Sequence, residues 1–132
     1  MALLHHILLV DDDPVYTLMA EYVVNKVHPG TKIDKASNGQ VALDFIQNAN
    51  NEMPDLILLD INMPIKNGWE FLDDFQTVKL QLNKVPNVVI VSSSVSEVDI
   101  NKAKTYGDVK DYITKPFLEQ QFREVEDRLF FQ

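Results

Sequence analysis

Three short apolar runs constrain this chain more than anything else in it: Ile7 to Val10, Leu56 to Leu59 and Val88 to Val91. Each is too short to be a helix, and none alternates with polar residues. A strand with one wet face alternates, whereas a strand buried on both faces reads as a continuous apolar run. The three runs are therefore expected to be inner strands of a parallel sheet covered by helices on both sides. Each ends abruptly in polar side chains: Asp11, Asp12 and Asp13 after the first, Asp60 after the second, Ser92, Ser93 and Ser94 after the third.

The segments between them carry helical signals. Asp13 followed by Pro14 has the form of an N-cap and first helical residue, and Val15, Leu18, Met19, Tyr22 and Val23 then recur at helical spacing. His28-Pro29-Gly30 stops that helix, and Thr31 to Ala36, with weak alternation, reads as an edge strand. After the turn Ser37-Asn38-Gly39, a second helical stripe runs through Val41, Ala42, Phe45, Ile46 and Ala49 until Asn48 to Pro54 breaks it. A loop through Met63-Pro64 and Asn67-Gly68 leads to a third helix with Trp69, Leu72 and Phe75 on one face and Phe71 beside them. Ser94 and Glu97 have capping-box spacing, so a fourth helix is expected from there to Tyr106, with Gly107 just past its end. Val109 to Ile113 is a short strand ending in Thr114-Lys115-Pro116. The last helix, Phe117 to Phe131, directs Phe122, Val125 and Leu129 inward and Glu119, Arg123, Glu126 and Arg128 outward. Phe130 and Phe131 either dock on the body or form an exposed apolar end. Five strands alternating with five helices imply an α/β three-layer sandwich with a five-stranded parallel sheet. With the weakest strand at one edge, the flavodoxin-like order 2-1-3-4-5 is expected.

Size and charge bound the function. The 132 residues are expected to form a single domain, 1 to 132. With no Cys, disulfides and thiolate chemistry are excluded. A net charge of −8 with no Lys/Arg cluster argues against direct nucleic-acid binding. No apolar run approaches a membrane span and Met1 to His6 does not read as a signal peptide, so a cytoplasmic location is expected. His5, His6 and His28 have no metal-ligand spacing and are expected to be structural or exposed.

Under the expected topology, the carboxyl ends of four strands bring Asp11 and Asp12, Asp60, Ser92 and Lys115 to one rim, where open α/β sheets bind ligands. Three carboxylates packed together repel each other unless a cation balances them. Oxygen ligands alone suit a hard divalent ion, and magnesium is the expected one. A metal-bound carboxylate beside a lysine and a hydroxyl suits phosphoryl chemistry. Only 4 Gly are present and no glycine loop that could cradle a nucleotide, so the phosphoryl group is expected to arrive from elsewhere and land on a side chain.

The same residues resemble the response-regulator receiver domain of two-component signalling. The resemblance rests on Ile-Leu-Leu-Val-Asp-Asp-Asp-Pro at 7 to 14, Leu-Leu-Asp-Ile-Asn-Met-Pro at 58 to 64 with Gly68, Val-Ser-Ser at 91 to 93 and Asp-Tyr-Ile-Thr-Lys-Pro-Phe at 111 to 117. In length the chain is similar to stand-alone receivers. The resemblance implies that Asp60 accepts a phosphoryl group from a phosphohistidine on a histidine kinase or histidine phosphotransfer protein. It implies that Asp12, Asp60 and the backbone carbonyl of Asn62 ligate Mg2+, with Asp11 in support through water. It implies that Lys115, followed by a cis peptide to Pro116, and Ser92 each meet a phosphoryl oxygen. Tyr112 would be the switch aromatic. The surface of the fourth helix, last strand and last helix, roughly 95 to 131, would then signal to a downstream protein rather than perform an enzymatic turnover. Ser92 replaces the commoner Thr and Ser93 the commoner Ala or Gly, and Asn62 and Ser94 occupy positions that tune phosphate lifetime in that family. A rival reading is a haloacid-dehalogenase-like, Mg2+-dependent phosphatase with Asp11 as nucleophile, because Asp11-Asp12-Asp13-Pro14-Val15 fits its Asp-x-Asp-x-Val pattern. That reading leaves Asp60-Ile-Asn-Met-Pro without a role.

Overall fold

Each continuous apolar run is a strand in the computed structural model, which describes residues 4–130. The strands are β1 (His6–Val10), β2 (Lys32–Ala36), β3 (Leu56–Leu59), β4 (Asn87–Ser92) and β5 (Val109–Thr114). All pair in parallel in the order β2-β1-β3-β4-β5, the flavodoxin-like arrangement. Val10 pairs with Leu59, Leu59 with Ile90 and Ser92 with Thr114, so the strands end nearly level along one rim.

Successive strand residues point to opposite faces, which divides the core in two. Leu8, Val10, Ile57, Leu59, Val88 and Ile90 face α2 (Gly39–Gln47), α3 (Gly68–Val78) and the end of α4 (Glu97–Ala103). Ile7, Leu9, Leu56, Leu58, Val89 and Val91 face α1 (Pro14–Val27) and α5 (Glu119–Phe130). Phe71 and Phe75 fill the first layer and Phe122 the second, all fully buried. Truncating any one of them to Ala is worth about 3–5 kcal/mol of stability. Among the described residues, no helix is long and apolar enough to cross a membrane.

The helices depart from expectation in four places. The expected stripe of α1 faces outward, with Val15, Leu18, Met19 and Tyr22 all more than half exposed. The helix instead buries Thr17, Ala20 and Val24, with Tyr16, Val23 and Val27 partly covered. Positions 16, 20, 23, 24 and 27 form a second helical stripe that overlaps the first at Val23, and the small Thr17 and Ala20 allow close approach to the sheet. In α2, Leu43 is buried while Val41 is exposed and Ala49 lies beyond the helix end. The Ser94–Glu97 capping box does not form. Ser92 Oγ accepts from the Ser94 N–H at 3.1 Å and Ser94 Oγ donates to Asp99 at 2.6 Å, which delays the helix until Ser96 caps it through the Val98 N–H. α4 is correspondingly short and ends at Ala103 rather than Tyr106. Finally, Glu126 of α5 is buried against α1, where its carboxylate pairs with His28. Phe130 is partly buried against the α1/α5 layer, and Phe131 lies outside the described residues.

Candidate functional site

The rim residues are placed by backbone geometry before their side chains interact. The Asp60 N–H donates to the Val10 carbonyl at 2.9 Å and the Asp11 N–H to the Ala36 carbonyl at 3.0 Å, so both acids leave the sheet on its last ladder bonds. The Lys115 N–H donates to the Ser92 carbonyl at 2.8 Å, which ties the β5 exit to the β4 exit. The Lys115–Pro116 peptide is cis, as the resemblance implies. Asp13 caps α1 by accepting from the Val15 and Tyr16 N–H groups at 3.0 and 3.3 Å. That leaves the second acid of the rival phosphatase pattern in a structural role.

After β3 the chain turns over the site. Gly68 donates its N–H to the Ile61 carbonyl at 2.9 Å, and a Cβ at Gly68 would come within 2.5 Å of the Asp60 carbonyl oxygen. Only glycine lets the start of α3 lie this close to Asp60. The loop narrows further at Ile65, where the Lys66 N–H donates to the Pro64 carbonyl at 2.7 Å around a residue with φ of 68°. This is a tight γ-type turn with a β-branched residue at its centre, an uncommon and strained conformation.

The three acids and Lys115 converge at the rim. Asp11, Asp12 and Asp60 each offer a carboxylate oxygen within 4.8 Å of the others. The Lys115 ammonium donates to Asp11 Oδ2 at 2.9 Å and lies 3.8 Å from Asp60 Oδ1. Burial and then the charge of Asp11 push the Asp60 carboxyl up to about 6, against the opposing pull of Lys115 and the N–H groups of Ile61 and Asn62. One lysine thus faces three acids, and the excess of clustered oxygen donors fits a hard divalent cation. Asn62 is exposed on the loop beside the cluster. Ser92 is fully buried at the end of β4. Tyr112 is partly buried and its hydroxyl donates to the Ser94 carbonyl at 2.9 Å, so it joins β5 directly to the loop after β4.

Sequence reasoning does not single out Tyr16, yet its ring centroid lies 4.0 Å from Lys115 Nζ and its hydroxyl accepts from the Phe117 N–H at 2.8 Å. An aromatic on the first turn of a helix carries no local signal for a contact 99 residues away in sequence.

The profile of the response regulator receiver domain family matches residues 7–126, most of the chain and every residue of this cluster. The chain belongs to that family. Among curated relatives, a probable C4-dicarboxylate response regulator DctR of Bacillus subtilis is 31% identical over 118 residues, covering 89% of this chain and 49% of the relative. The receiver spans about half the length, or less, of the curated relatives it matches. Among solved structures, a two-component response regulator from Cytophaga hutchinsonii superposes with a TM-score of 0.87 at 26% identity, covering 98% of each chain. A phosphorylated cyanobacterial phytochrome response regulator, RcpA, superposes at 0.80 with 28% identity, covering 97% of this chain and 96% of that one. The phosphatase reading gains no support from these relationships, and the family places this receiver among regulators of two-component systems.

Proposed function

We propose that this chain is a phosphorylation-dependent switch in which Asp60 is the phosphoacceptor. The observation that carries the reading is the position of Asp60: nearly buried at the end of β3, its carboxyl raised to about 6, between two further acids and the Lys115 ammonium. A phosphohistidine on a histidine kinase or phosphotransfer protein is the donor. The Asp60 carboxylate oxygen attacks phosphorus, the P–N bond breaks, and its electron pair leaves on the imidazole, which takes up a proton.

Mg2+ would be held by Asp12, Asp60 and the Asn62 carbonyl, with Asp11 assisting through water, and when bound it supplies positive charge against the phosphoryl oxygens. Lys115 turns from Asp11 to one phosphoryl oxygen, and the Ser92 hydroxyl meets another. The new group adds about −1.5 to −2 charges and three acceptors at neutral pH. Because Ser92 holds the Ser94 N–H and Tyr112 holds the Ser94 carbonyl, a shift of Ser92 toward phosphate loosens Tyr112 and repositions α4, β5 and α5 for a downstream protein. The unit acts as one receiver over 1–132 in the cytoplasm, as a switch rather than a turnover enzyme.

The test is intact-mass measurement after incubation with Mg2+ and a small phosphodonor. One phosphoryl adduct is expected, absent without the metal and absent in Asp60→Asn. An adduct that survives Asp60→Asn removes Asp60 from the role. Sustained phosphomonoester turnover lost in Asp11→Asn but kept in Asp60→Asn would restore the phosphatase reading.

A further inference from the structure

Lys115 approaches the acids from the end of β5 on a flexible four-carbon stem, and what surrounds its ammonium decides where it points. Two of its neighbours are carboxylates, Asp11 at 2.9 Å and Asp60 at 3.8 Å. The third is the face of the Tyr16 ring, 4.0 Å from Nζ. A carboxylate or hydroxyl neighbour accepts a hydrogen bond and so competes with a phosphoryl oxygen for the ammonium. An aromatic face attracts the cation through its quadrupole yet takes up none of its donors in conventional hydrogen bonds.

Tyr16 also holds the backbone that carries Lys115. Pro116 has no N–H, so the Phe117 N–H is the first donor after the lysine, and it is the one the Tyr16 hydroxyl accepts at 2.8 Å. One side chain from the first turn of α1 therefore fixes the 115–117 segment at two points. Burial, with the charges of Asp11 and Asp60, pushes the phenol up to about 12 despite the Phe117 N–H, so it stays neutral at physiological pH.

We propose that Tyr16 is a positioning residue for phosphoryl transfer, acting through Lys115: its ring keeps the ammonium aimed at the Asp60 rim as Lys115 passes from Asp11 to a phosphoryl oxygen. The proposal rests on the reading of Asp60 as acceptor. The bland alternative is that Tyr16 only fills space beside the cavity of about 20 Å3 that it shares with Leu58, Val91 and Phe117.

Three measurements separate the two. The rate of Asp60 phosphorylation by a small phosphodonor at saturating Mg2+ is compared in the full chain, in Tyr16→Phe, which keeps the ring, and in Tyr16→Leu and Tyr16→Met, which keep apolar bulk without it. The ringless variants are expected to react about two- to thirtyfold more slowly, the range of a cation–π contact, with Tyr16→Phe near the parent rate. Placed in Lys115→Ala, itself expected to react more slowly than the parent, Tyr16→Leu is expected to add no further slowing. Independently of phosphorylation, the Lys115 ε-methylene proton signal, assigned by its loss in Lys115→Ala, is expected to be shifted upfield by the ring current in the parent and Tyr16→Phe and to relax downfield in Tyr16→Leu and Tyr16→Met. Unchanged rates in both ringless variants, equal slowing in Tyr16→Phe, or additive slowing with Lys115→Ala would overturn the proposal, as would an unshifted Lys115 signal in the parent. Absence of any adduct on the parent chain would instead defeat the acceptor reading, and the Lys115 signal would still report the contact.

Discussion

Asp55 and Asp60 flank the four residues of β3, one just before the strand and one just after it, and the two carboxyl groups are driven in opposite directions. Burial pushes both up. At Asp55 this is outweighed by the Lys84 ammonium and by the His5 and His6 N–H groups, which donate at 2.9 and 3.0 Å, and the carboxyl ends below its ordinary value. At Asp60 the second influence is the like charge of Asp11, Lys115 is shared with that same Asp11, and the carboxyl ends near 6. A satisfied acid fastens strands together at the amino end of the sheet. A frustrated acid at the carboxyl end stores an imbalance of negative charge that a cation can relieve.

Breaking the frustrated member has the largest effect. Asp60→Asn should abolish the phosphoryl adduct while raising stability at pH 7 by up to about 3 kcal/mol, since a rise from 3.8 to about 6 penalises the ionised folded state by about that much. The sign follows from proton linkage. The folded state holds the Asp60 proton more tightly than the unfolded state, so the penalty is absent below about pH 4, grows between 4 and 6 and is complete above 6. Thermal unfolding of the two proteins across pH 4 to 8 should therefore converge at the acid end; a constant difference would show that the Asp60 charge is not its source.

Breaking the satisfied member should do the reverse. Asp55→Ala leaves two N–H groups and Lys84 without their acceptor, at a cost of about 1–3 kcal/mol in denaturant titrations, with phosphorylation unchanged. The lowered carboxyl stabilises the fold above the unfolded value of 3.8, and that contribution is lost as pH falls below it through the folded value. The metal sharpens the contrast. Mg2+ at ten times its dissociation constant should raise parent stability by about 1.4 kcal/mol, as much in Asp55→Ala but far less in Asp60→Asn, by melting with and without chelator. The smallest effect concerns the exit from β3. The loop after the strand contains Ile65 at positive φ with 83% of its surface exposed, so Ile65→Gly, which has no Cβ to clash there, should gain about 0.5–1 kcal/mol, the relieved strain exceeding the added chain entropy.

What could be read from the sequence follows the same division between backbone pattern and side-chain partnership. Strands β1, β3 and β4 were legible because a strand covered on both faces has only one composition available to it, and the shared position of Asp11, Asp12, Asp60, Ser92 and Lys115 was legible because parallel topology sends every strand end to one rim. The inward face of α1 was not, because Val15, Leu18, Met19 and Tyr22 compete with Tyr16, Ala20, Val24 and Val27 at the same period, and only the packed sheet chooses between them. Ser96 displaced Ser94 as cap because Ser94 is bound into a chain of contacts with Ser92 and Asp99. Glu126 found its partner in His28, and Tyr16 in Lys115, through contacts between elements that no local spacing announces.

The contact between Gly68 and Asp60 has an optical consequence. The next residue is Trp69, the one tryptophan in the chain, and its indole stacks on Tyr106 with centroids 6.0 Å apart and planes 19° from parallel, under the ammonium of Lys102 4.7 Å from the ring. A shift in the Asp60 carbonyl therefore reaches the indole through one peptide unit, against a cation and a phenol ring that alter its emission when they move. The unlabelled protein carries its own fluorescent gauge of the loop that follows Asp60.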